Sequence, residues 1–100
     1  MAIMEIVVIP LGTGSPSVST YVADCVKVLK DMGLKFQVTA MGTIVEGSLD
    51  ELLEAARRMH RVPFERGAPR VVTSMRIDER VDKELHIEEK VKSVVEKLNE

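Results

Sequence analysis

One hundred residues carrying a formal net charge of −2 are enough for one domain over 1–100 and too few for a second sizeable core. Hydrophobic residues at 45% and charged ones at 30% exclude a disordered tail or a collagen-like repeat. Lys and Arg are spread along the chain, so no basic patch marks a nucleic acid or an anionic membrane as partner.

Ile3 to Ile9 is a β-branched run interrupted only by Met4 and Glu5, as expected of a central strand covered on both faces. Its apolar continuation, Ile6 to Leu11, is too short to span a bilayer and follows no basic segment, so it reads as strand rather than membrane helix or signal peptide. The run ends at Pro10 and enters Gly12-Thr13-Gly14, after which Ser15 and Pro16 predict the cap and first turn of a helix. Val18, Tyr21, Val22, Cys25, Val26, Leu29 and Met32 recur at steps of three and four, one stripe of that helix, and Gly33 supplies its stop.

Leu34 to Ala40 alternates apolar Leu34, Phe36 and Val38 with polar neighbours, the period of a half-buried strand. Gly42 marks a tight turn, and Thr43 to Glu46 is a short third strand. Ser48-Leu49-Asp50-Glu51 is a capping box. It opens a helix striped by Leu49, Leu52, Leu53, Ala56, Met59 and Phe64, kinked near Pro63 and ended by Gly67. Val71 to Ile77 predicts the fourth strand. A charged connector, Asp78 to Glu84, leads to a last helix with Ile87, Val91, Val94, Val95 and Leu98 on one side.

The order β-α-β-β-α-β plus a helix is the ferredoxin-like α+β order. Right-handed crossovers then require the antiparallel sheet order fourth, first, third, second, with two helices on one face. The other face of the first strand remains apolar, which predicts that another subunit covers it.

Candidate sites are few. Gly12-Thr13-Gly14 lies between strand and helix, where backbone amides can hold an electron-rich group, yet it lacks the third glycine of a dinucleotide loop and the Gly-Lys-Ser/Thr of a phosphate loop. A plain connection explains it equally well. The topology brings the start of the third strand beside the end of the first, so Thr13, Ser15, Ser17, Thr39 and Thr43 can converge, with Met41 as a flexible apolar neighbour. Thr39 alone is as well explained by the preference of threonine for strands. His60 and His86 have no second ligand at helical spacing and read as helix-surface residues. Cys25, the sole cysteine, falls on an apolar stripe and reads as an inert core thiol suited to a reducing cytoplasm. Glu5, inside a central strand, needs a partner if it is buried.

The stretches IPLGTGSPSVSTYV, TAMGTIVEGSLDELLEA, VVTSMRIDER and EEKVKSVVEKL together resemble the small thiamine-binding protein family of ferredoxin-like fold, long catalogued as uncharacterised. That resemblance implies a pocket for thiamine or its hydroxymethylpyrimidine, framed by Pro10 to Gly14 and by Met41-Gly42-Thr43. It also implies binding roles for Thr13, Ser15, Ser17 and Thr43, and a tetramer built from dimers. The expectation is a non-catalytic cytoplasmic binding protein that requires no cofactor and no metal and has neither nucleic acid nor membrane as partner. An enzyme would need a nucleophile with its base, a carboxylate pair or a metal cluster, none of which the residues suggest. RNA binding through the sheet would need aromatics on the central strands, which have none. A structural or regulatory oligomer without a ligand is the remaining alternative.

Overall fold

The computed structural model describes residues 1–15 and 18–100. Its elements are β1 (Ala2–Leu11), α1 (Ser19–Asp31), β2 (Lys35–Thr39), β3 (Gly42–Gly47), α2 (Leu49–Glu65), β4 (Arg70–Glu79) and α3 (Ile87–Leu98). The sheet order is β2-β3-β1-β4, antiparallel at every pair. This is the ferredoxin-like arrangement with the strand order that right-handed crossovers require.

Strand alternation divides β1 between two environments. Ala2, Met4 and Ile6 point to the helix layer and are buried there with Val45 of β3, Cys25 and Leu29 of α1, and Leu52, Ala55, Ala56 and Met59 of α2. Each of the larger side chains contributes roughly 1.5–3 kcal/mol by leaving water. Ile3, Glu5, Val7 and Ile9 point the other way, and Ile9 is exposed. The apolar run therefore does mark two faces, of which α1 and α2 cover one and the rest of the chain covers the other only in part.

Local signals set the helix ends. Gly33 takes a positive φ of 70°, and the Leu34 and Gly33 amides donate to the carbonyls of Leu29 and Lys30, closing α1 in a Schellman motif. Ser48 and Glu51 form the reciprocal capping box of α2. The start of α1 differs from the expectation: its N-cap is Val18, with no side-chain capping bond, and Ser15 lies in the preceding loop. The Ser-Pro signal suits a loop as well as a helix start, and Pro16 itself lies outside the described residues. Gly42 also differs. The turn residues are Ala40 and Met41, and Gly42 opens β3 without a positive φ. Its glycine serves close packing, because a Cβ there would lie 3.0 Å from Val7 Cγ2 and 3.3 Å from the Ile6 carbonyl oxygen.

The stripes of α2 and α3 are only partly core. On α2, Ala55 and Pro63 are buried where Leu49, Leu53 and Phe64 are exposed, because the stripe turns toward the edge strand β4, which covers it incompletely. α3 crosses the sheet face opposite α1 and α2. Lys35, Glu46, Ile3 and Asp78 form one row across the four strands. Lys35 pairs with Glu88, Asp78 pairs with Lys90, and Glu46 accepts the Ile87 amide at 2.9 Å. Beyond this anchored first turn, Val91, Val94, Val95 and Leu98 remain exposed.

Candidate ligand-binding site

β1 pairs with β3 only as far as Ile6 opposite Thr43, yet it continues to Leu11 alongside β4. On the β3 side the sheet therefore steps back beyond Ile6. The late start of α1 places its first turns over that step without filling it. The result is a cleft of about 860 Å³ walled by the second half of β1, the first half of α1 and the β2–β3 hairpin, a volume suited to a small organic molecule.

Its walls are apolar: Val8, Val18, Val22, Val26, Val38 and Met41 among them. Val38 and Met41 are exposed despite being apolar, Met41 by 82%, and they form the outer lip. Thr43 is the least exposed of the hydroxyl-bearing residues that line the cleft. It shares the strand face of its neighbour Ile6, is only 5% exposed, and its hydroxyl makes no hydrogen bond among the described residues. With no partner among them, this hydroxyl is available to a molecule occupying the cleft.

The other hydroxyls singled out by sequence are placed differently. Thr39 lines the cleft, but its hydroxyl donates to the Gly42 carbonyl at 2.8 Å and accepts the Met41 amide at 3.3 Å, so it holds the hairpin turn. Thr13 donates to the Ser15 carbonyl at 3.1 Å, and neither Thr13 nor Ser15 is among the described residues that wall the cleft. Ser17 lies outside the described residues. Sequence reading missed the hydroxyl of Ser19 and the walls formed by Val22, Val26 and Val38. The available signal was an α1 stripe wider than a single contact with the sheet needs.

Cys25 is buried at the base of the cleft. Burial, reinforced by Asp24, pushes its thiol up to about 11, so it is neutral at physiological pH and not a nucleophile. Glu5 meets Arg76 across the β1–β4 pair, with Nη2 and Oε1 2.7 Å apart. The two histidines are not plain surface residues. His60 Nδ1 is 2.6 Å from Thr73 Oγ1, joining α2 to β4. His86 lies between Glu46 and Glu84, 3.2 Å from each. Among the described residues no group of three or more His, Cys, Asp or Glu could hold a metal ion, and no helix is long and apolar enough to cross a membrane.

Comparison with known proteins agrees with this architecture. The family model described as thiamine-binding protein matches residues 4–95. A protein of the uncharacterised family UPF0045 from Staphylococcus xylosus is 44% identical over 104 residues, spanning 100% of this chain and 97% of its own. The solved structure of a hypothetical protein from Methanocaldococcus jannaschii superposes with a TM-score of 0.85 at 45% identity, covering 95% of this chain and 96% of that one. A Thermotoga maritima protein, provisionally assigned to thiamine biosynthesis or salvage, superposes with a TM-score of 0.77 at 25% identity, covering 93% and 97%. The chain belongs to the thiamine-binding protein family.

Proposed function

We propose that the chain is a non-catalytic binding protein that holds thiamine, or its hydroxymethylpyrimidine half, in the cleft between α1, β1 and the β2–β3 hairpin. The observation that carries this reading is the largely buried Thr43, whose hydroxyl opens into an apolar cleft of suitable size and makes no hydrogen bond among the described residues. A flat aminopyrimidine needs apolar walls and a few placed hydrogen-bonding groups, and the cleft offers both. Thr13, Ser15 and Ser17 belong to the same proposal as further hydroxyls that contact the ligand. The family description and the provisional assignment of the T. maritima relative support a thiamine-related ligand.

The protein acts in this reading as a homo-oligomer, a tetramer built from dimers, in the cytoplasm, with the cleft at an interface between subunits. Support comes from the apolar side chains the chain leaves uncovered, Ile9, Leu11 and Val72 on the open sheet face and the outer stripe of α3, since soluble monomers rarely keep large apolar patches wet. The same patches favour the second reading, an oligomer with a structural or regulatory role and no thiamine-related ligand. Calorimetric titration of the purified protein with thiamine and with hydroxymethylpyrimidine separates the two. Saturable binding of either compound supports the ligand reading, and no heat at millimolar ligand leaves the structural one.

A further inference from the structure

Charge is absent from the cleft in a way that burial does not explain. None of the described residues that line it is Asp, Glu, Lys, Arg or His, and the sequence stretches 7–23 and 36–45, from which most of them come, contain none either. The 30% charged content of the whole chain would place about eight charges in those 27 residues. Buried strand positions lack charge as a matter of course. Yet of the lining residues Val18 and Ser19 at the start of α1 and Val38 to Met41 on the hairpin are exposed, and exposed loops and helix starts are where charged residues ordinarily gather. The first turn of α1 has no acidic residue either, although a helix N-terminus favours one. The thiol at the base is held neutral by burial.

Together with the unpartnered Thr43 hydroxyl, these observations concern what the cleft selects. We infer that the cleft discriminates by charge: it takes an uncharged, flat heteroaromatic group and rejects phosphorylated forms of the same molecule. The inference rests on the ligand reading above and narrows it. An ionised group moved from water into such walls loses hydration and meets no counter-charge among the described lining residues of this chain. The partial positive end of α1 is one exposed helix terminus, too weak to replace the hydration of a phosphate dianion. For thiamine, the neutral aminopyrimidine occupies the cleft and hydrogen-bonds Thr43, while the cationic thiazolium stays at the mouth, in water. Free aminopyrimidine alcohol is then a full ligand, and thiamine diphosphate a poor one.

The test is equilibrium titration of the full-length protein with hydroxymethylpyrimidine, its phosphate ester, thiamine and thiamine diphosphate, at low and high salt. The alcohol should bind at least about ten-fold more tightly than its phosphate, a factor set by desolvation and therefore retained at high salt. Met41→Lys, a change at an exposed turn residue on the lip, should narrow that ratio several-fold by giving the phosphate a counter-charge. Equal affinity for alcohol and phosphate ester overturns charge selection while leaving the binding function intact. So does a preference for the alcohol that vanishes with salt. If none of the four compounds binds at millimolar concentration, the ligand reading itself is wrong and the inference falls with it.

Discussion

The thiol of Cys25 on α1 donates to the Met59 carbonyl on α2 at 3.4 Å, and the carbonyl is free to accept because Pro63, four residues on, has no N–H to return. The proline lies inside α2, fully buried, and the helix runs on to Glu65. A donor on the neighbouring helix thus replaces the missing rung of the α2 ladder. The pair also lines the base of the cleft, so the same contact that joins the two helices fixes the floor of the candidate site.

Cys25→Ala should therefore cost about 1–2 kcal/mol, part from the lost volume and part from a buried carbonyl left unpaired. In a Pro63→Ala background the Met59 carbonyl regains a helical partner, and the penalty of Cys25→Ala should shrink by about 0.5–1 kcal/mol. Urea denaturation of the four proteins measures this coupling; strictly additive changes would show that the thiol merely fills space. Native-state labelling of Cys25 should be slow, as its burial and raised pKa of about 11 require.

Much of this was readable from residue order, and the failures have physical causes. A β-branched apolar run, one alternating segment and period-3.6 stripes located the strands and helices, and the crossover rule then placed β1 and β3 side by side, which brings Thr43 next to the end of β1. The misplaced start of α1 came from a Ser-Pro pair whose preference for loops equals its preference for caps. Gly42 was read as a turn residue when its role is close approach to Val7 and Ile6, a tertiary contact that no local pattern encodes. The exposed outer stripe of α3 was legible as amphipathic, but amphipathicity does not say whether the covering surface belongs to the same chain.

Gly42→Ala tests the close approach directly. The added Cβ would meet the Ile6 carbonyl, which is backbone, and the Val7 side chain at the 3.0 Å limit, so β1 and the hairpin must separate slightly at the edge of the cleft. A loss of about 1–3 kcal/mol is expected, in the range of core overpacking. Thermal and urea unfolding check it, and a neutral effect would show that the hairpin moves freely relative to β1.

The anchoring of α3 should depend on pH. Hydrogen bonds to Glu46 first and Glu84 second raise the pKa of His86 above the ordinary imidazole value of 6.5, and Lys35, Glu88, Glu89, Asp78 and Lys90 surround the same first turn. A folded-state pKa raised above the unfolded one favours the protonated, folded form. The stabilisation is thus complete below the unfolded value and disappears as pH rises through the folded pKa. The difference in melting temperature between wild type and His86→Gln should accordingly be largest on the acid side of 6.5 and shrink toward alkaline pH. A pH-independent difference would mean that the imidazole acts only by shape.

The uncovered apolar stripe of α3 and the open sheet face lead to a measurement of mass. Light scattering should give a multiple of the 11.1 kDa chain mass, and Val94→Asp, at an exposed position of α3, should shift the distribution toward smaller species while the folded chain persists. A wild-type monomer at all concentrations would leave these surfaces without a partner copy and remove the oligomeric part of the proposed function.

Thr43→Val is the sharpest probe of the cleft, because valine keeps the branching and nearly the volume of threonine and deletes only the hydroxyl. The strand should tolerate it, since valine favours strands at least as strongly and the hydroxyl it removes has no hydrogen-bond partner among the described residues. In the complex a polar atom of the ligand loses its partner, a loss of about 1–3 kcal/mol or roughly a ten- to hundred-fold weaker affinity. The two readouts together carry the test. Weaker binding of hydroxymethylpyrimidine with unchanged stability assigns the hydroxyl to the ligand. Unchanged affinity would reduce Thr43 to a strand residue, and a marked loss of stability would show that its hydroxyl serves the fold.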